Sequence, residues 1–103
     1  TRYHIITGNP ISNVVSEPFE YGLYNAYLKN EEGYLYVYNT ANNKKLTEIE
    51  VGTVEFDSGD IYFDAPRDVL SDSLTVICNP MNPDIETYLN NIVRFSSINV
   101  KVT

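Results

Sequence analysis

The chain has no tryptophan, one cysteine, one methionine and one histidine among its 103 residues. Each scarcity removes a class of chemistry. A lone Cys78 cannot close an intramolecular disulfide, so the fold must rest on its core, and a reducing, intracellular origin fits. One histidine and one cysteine, far apart in the chain, leave no zinc motif, and no cofactor is expected. Basic residues are also few: seven Lys and Arg face fourteen Asp and Glu, for a net charge of -7. That balance repels phosphate backbones and anionic headgroups, so neither nucleic acid nor a membrane is an expected partner. No apolar run reaches the ~18–20 residues that a bilayer requires, and no basic-then-apolar leader opens the chain. A phosphate-cradling glycine loop and a G-x-S-x-G nucleophile elbow are both missing. The start at Thr1 without an initiator Met reads as a piece of a longer chain or a processed one.

What is present is enough for one folded domain. A 43% hydrophobic fraction with 20% charge lies in the globular range, and 103 residues suit a single domain over 1–103 better than two small ones. Period-two alternation recurs along the chain and predicts strands with one buried face. Residues 2–7, stopped by Gly8-Asn9-Pro10, form the first, and residues 34–38 the second. The polar residues 39–45 then turn the chain into a strand over 46–51, making a hairpin. A clearer hairpin follows, in which 52–56 and 61–63 flank Asp57-Ser58-Gly59-Asp60, with Gly59 supplying the positive φ of a tight turn.

Residues 73–78 return as a strand, expected to be central because both its faces are largely apolar. Ile85, Tyr88, Leu89 and Ile92 fall at helical spacing behind Pro83-Asp84 and predict one short helix. Ile98, Val100 and Val102 alternate as a last strand. Residues 8–30, with Pro10 and Pro18, fit either a long loop or an edge strand. The fold class is therefore α+β, mainly β: an antiparallel sheet of about six strands with one short C-terminal helix.

Candidate chemistry is sparse. His4 alternates with Tyr3 and Ile5 on a strand and reads as structural, and Cys78, inside an apolar strand, reads as a small buried hydrophobe. Asp57, Asp60 and Asp64 could gather at one end of the hairpin, but they lack the pattern of a calcium loop and read as a solvated turn. Nothing in this inventory indicates an enzyme. Nine tyrosines are the compositional oddity, since tyrosine suits places where a ring is buried and its hydroxyl stays wet. Tyr34, Tyr36 and Tyr38 share one strand face and Leu35 and Val37 the other. Either the aliphatics face the core and the tyrosines form an outward stripe, or the tyrosines are core in a sheet covered on both sides. An outward stripe would serve as a docking surface for a partner subunit, or would stack on sugars in a carbohydrate-binding β-sandwich module, with calcium at Asp57 and Asp60.

Gly52-Thr53-Val54-Glu55-Phe56-Asp57-Ser58-Gly59-Asp60-Ile61 resembles a G-[ST]-[IV]-x-[YF]-x-[ST]-G-x-[IV] pattern of baseplate wedge proteins from contractile-tailed, T-even-like bacteriophages. Ile77-Cys78-Asn79-Pro80, a helix through Asn90-Asn91-Ile92 and a closing Ile98-Asn99-Val100-Lys101-Val102 resemble the ending of the same proteins, so that the likeness covers residues 46–103. Leu89 stands where that family would place an arginine. The resemblance implies the C-terminal domain of a structural subunit of the virion's tail baseplate, made in the bacterial host cytoplasm and without catalysis. Its implied partners are a second copy of itself, as a homodimer, and neighbouring wedge subunits. The expected interface residues are Tyr34, Tyr36 and Tyr38, with Ile98, Val100 and Val102 if the last strand lies at an edge.

Overall fold

The computed structural model describes residues 2–71 and 73–81 in full and residues 89–94 by their backbone. Over this range the chain forms strands and turns: β1 (Arg2–Ile6), β2 (Ile11–Ser16), β3 (Phe19–Tyr21), β4 (Tyr24–Glu31), β5 (Tyr34–Asn39), β6 (Gly52–Glu55), β7 (Asp60–Asp64), β8 (Ser73–Pro80) and β9 (Leu89–Arg94). All pairings are antiparallel, in the order β1-β7-β6-β5-β4-β2-β8-β9, with β3 added to β4 beside β2.

A short link forces this sheet to curl. β1 and β2 lie five positions apart in the strand order, ~24 Å across a flat sheet. From Ile6 to Ile11 the extended chain reaches at most ~18 Å. The sheet therefore folds back on itself, and the Ile11 amide donates to the Phe56 carbonyl at 2.9 Å across the turn of β6 and β7. Period two then sends every second residue inward. Ile5, Ile11, Val14, Leu28, Leu35, Val37, Ile61, Phe63, Leu74, Val76 and Cys78 join one buried cluster. Burying side chains of this kind stabilises by about 1.5–3 kcal/mol each, which supplies the main cohesive term.

Several expectations change. Residues 8–30 contain three strands, and the prolines stand at their boundaries: Pro10 precedes β2, and Pro18 separates β2 from β3. The expected strand over 46–51 does not form, because Leu46 and Val51 bond to Val37 and Leu35 of β5 while the residues between them bow outward. β8 lies between β2 and β9 but is next to the end of the strand order, with Leu74, Val76 and Cys78 buried and Thr75 and Ile77 half-buried on its other face. The expected short helix is overturned over residues 89–92, where Leu89–Arg94 pairs with β8 from Cys78↔Leu89 to Ser73↔Arg94. Its earlier part, with Ile85 and Tyr88, lies outside the described residues, as do Ile98, Val100 and Val102.

Candidate interaction face

The face of the sheet turned away from the core carries the tyrosine stripe. Leu35 and Val37 are core residues, so Tyr34, Tyr36 and Tyr38 project from the opposite side of β5. Exposure falls along the stripe, from 46% at Tyr34 through half-buried Tyr36 to 8% at Tyr38. The strand registers extend it sideways. Glu31, Tyr34, Thr53, Tyr62 and His4 are successive cross-strand partners on β4, β5, β6, β7 and β1, a row ~19 Å long. Lys29 pairs with Tyr36 and Tyr27 with Tyr38 in the next rows of β4 and β5.

Charges and rings fix one another on this face. Lys45 Nζ lies 3.9 Å from the centroid of the Tyr36 ring and 2.8 Å from Glu31 Oε2. The Tyr38 hydroxyl donates to the same carboxylate oxygen at 3.1 Å. The Lys45 ammonium, and then the Tyr38 hydroxyl, hold the Glu31 carboxyl below its ordinary range, and Glu31 in turn raises Lys45. Burial, and then Glu31, push the Tyr38 hydroxyl up. Tyr27 stacks on Tyr38 at 5.6 Å between centroids and donates to Asn43 Oδ1 at 3.0 Å. At the β1 end, the His4 ring stacks on Tyr62 at 4.3 Å, and Arg2 lies 5.5 Å from the Tyr62 centroid while pairing with Asp64.

His4 Nε2 stands 2.9 Å from Asp60 Oδ1, and Ser58 Oγ donates to Asp60 Oδ2 at 2.7 Å. Ser58, then His4, hold the Asp60 carboxyl below its ordinary value. Here the carboxylate sits between the hydroxyl and the imidazole, so this trio lacks the serine-to-histidine contact of a nucleophilic triad. Asp57, Asp60 and Asp64 do not gather: Asp60 and Asp64 occupy opposite ends of β7, ~13 Å apart along an extended strand. Among the described residues no group of three or more His, Cys, Asp or Glu could hold a metal ion.

Between β2 and β4 the ladder opens. Val15↔Lys29 is their one register pair, and side chains replace the missing backbone bonds. The Val14 amide donates to Asn30 Oδ1 at 2.8 Å, and the Leu28 amide donates to Ser16 Oγ at 2.7 Å. The parted strands leave a hollow of about 430 Å³ lined by Asn13, Val14, Val15, Tyr27, Lys29 and Asn30.

Sequence reasoning placed Tyr34, Tyr36 and Tyr38 on one face but missed Tyr27, Lys29, Lys45 and Tyr62. The alternation of β4 and β7 could have exposed Tyr27 and Tyr62; the approach of Lys45 depends on the turn after β5. Comparison with known proteins finds no family model, no curated protein and no solved structure that matches the chain.

Proposed function

We propose that this domain is a non-catalytic assembly module whose outer face docks on other protein chains, a second copy of itself among them. The observation that carries the reading is the five-strand row from Glu31 to His4, with the tyrosine stripe across it. The Tyr27, Tyr36, Tyr38 and Tyr62 rings are held by their neighbours before any partner arrives, so docking loses little of their side-chain entropy, one reason interfaces favour tyrosine. The sugar-binding alternative draws less support: a sugar would compete with Lys45 for the Tyr36 ring and with His4 and Arg2 for the Tyr62 ring. The proposed setting is the phage tail baseplate, with wedge subunits as neighbours in the virion. Support for that setting is the 52–61 motif and its hairpin, since residues 89–92 do not form the helix the resemblance requires.

Light scattering behind size exclusion, over a concentration series, tests the reading. The expected result is a mass rising from 11.7 kDa to at least twice that value and falling again on dilution. The double variant Tyr34→Ala/Tyr36→Ala should weaken the association by about tenfold or more, the effect of losing ring anchors from an interface. A monomer at every concentration would defeat the self-association reading, and an unchanged double variant would remove the stripe from it.

A further inference from the structure

The residues between β5 and β6 contain an outward bow, whose base is tied to β5 where Thr47 Oγ1 accepts from the Val37 amide at 3.2 Å. The Leu46 amide donates to the Val37 carbonyl at 2.7 Å and the Val51 amide to the Leu35 carbonyl at 2.8 Å. Val37 and Leu35 are two residues apart, yet their partners are separated by five, so the bow carries three residues more than an antiparallel ladder needs. Its crown is Glu48-Ile49-Glu50, all exposed, with Ile49 at 76%. A large aliphatic side chain held in water between two carboxylates adds little to the core of its own chain.

The hollow between β2 and β4 has the opposite character. Val15 and the Tyr27 ring, both half-buried, give it its accessible apolar lining, Asn13 adds an amide, and Lys29 stands at its side, whereas the Val14 beside them is fully buried. Lys29 is exposed, lies 5.9 Å from the centroid of the Tyr38 ring and helps to lower Glu31 at longer range, but forms no close ion pair with any described residue, whereas Lys45 is paired with Glu31. At about 430 Å³ the hollow falls in the size range of small binding sites and has room for one aliphatic side chain with its flanking groups. The acidic crown and the hollow with its exposed Lys29 are complementary in charge and in apolar content.

We propose that the Glu48-Ile49-Glu50 crown of one copy seats in the Lys29 hollow of a second copy. Ile49 packs on Val15 and Tyr27, and a flanking carboxylate pairs with Lys29. The inference deepens the self-association reading and rests on it. Crown and hollow are different surfaces, so the contact is heterologous: each added copy leaves one crown and one hollow open, and growth proceeds to a ring or a chain. The net charge of -7 opposes approach at long range, but ~0.15 M salt screens that repulsion beyond about 8 Å and leaves the local pairing intact.

Reversing the charges tests the inference. Lys29→Glu gives an acidic crown and an acidic hollow, and Glu48→Lys/Glu50→Lys gives a basic crown beside the Lys29 hollow. Each variant alone should dissociate at least about tenfold more readily than the unaltered chain, as expected when one side of a close charge pair is reversed. Mixed in equal amounts they should associate again, because each crown then meets a hollow of opposite charge. All three positions are exposed, so thermal melting of the variants should match the parent and separates a lost contact from a lost fold. Variants that associate as the parent does, or a mixture that stays monomeric, would overturn the crown-and-hollow contact while leaving self-association standing. A parent chain that never associates would remove both.

Discussion

Replacing Gly59 by alanine separates two costs that are usually confounded. Gly59 has φ +76, and a Cβ built there would come within 3.0 Å of Thr7 Oγ1 and of the Asn9 carbonyl oxygen. The first cost is conformational, about 1–2 kcal/mol for an L-residue in the left-handed region. The second is steric, and overpacking of this kind costs about 1–3 kcal/mol. Relief would require moving residues 7–9, where the Thr7 amide and hydroxyl both donate to the Gly59 carbonyl. Gly59→Ala should therefore destabilise by about 2–5 kcal/mol, a large share of the ~5–15 kcal/mol that holds a domain of this size. Gly22 supplies the control, since it has φ +59 and nothing within 4 Å of its would-be Cβ. Gly22→Ala should cost only the conformational part, about 1–2 kcal/mol. Thermal and urea unfolding of both variants measures the difference, at roughly 4–8 °C per kcal/mol for a chain of this length. Equal destabilisation at the two sites would refute the packing argument.

Two further outcomes follow from side-chain bonds inside the sheet. Ser16→Ala removes the acceptor of the Leu28 amide, a buried group on a strand where the ladder has parted, and should cost about 1–3 kcal/mol with faster hydrogen exchange at Leu28; an unchanged exchange rate there would contradict it. Asp60 has a folded-state pKa lowered below its ordinary 3.8, first by Ser58 and then by His4. A lowered carboxylate stabilises the fold above the unfolded value and loses that contribution as pH falls through the folded one. Below pH 3.8 the melting temperature of the parent should therefore fall more steeply with acid than that of Asp60→Asn, and parallel acid limbs would show the pairing to be inconsequential.

The parts of the fold that were legible in the sequence are those whose period-two pattern is uninterrupted. The hairpin over 52–63 and the division of β5 into a Leu35/Val37 face and a tyrosine face are read directly from alternation, and Gly59 from the turn it must make, whereas which face of β5 turns inward is settled only by the sheet's curl. β2 was hidden by a bulge between Ile11 and Asn13, which shifts the register so that Ile11, Val14 and Ser16 are all buried. An odd step breaks the pattern that marks a strand. Leu89 and Ile92 fit a helical stripe by spacing, but the complete pairing of Leu89–Arg94 with β8 prevails over a local preference. The bow at 48–50 keeps a strand's alternation while making no ladder, and only the two bonds at Leu46 and Val51 distinguish it. For the interaction face, the stripe on β5 was visible, whereas the row from Glu31 to His4 joins five strands whose order no local pattern encodes.

The short link between β1 and β2 also bears on how the chain comes together. β1 pairs with residues 60–64 and β2 with residues 76–80, whereas β4 with β5 and β6 with β7 are local hairpins. The hairpins can close early and β2 can meet β4 through Val15 and Lys29, but β1 must wait for partners more than fifty positions downstream, the pattern of long-range pairing that slows folding. During synthesis at ~5–20 residues per second, that wait lasts on the order of several seconds. Through it Ile5, fully buried in the finished sheet, lacks its partner strand. A nascent chain that has not yet reached Asp64 is thus a form of this protein exposed to aggregation and to chaperones, because β1 is made well before the strand that secures it.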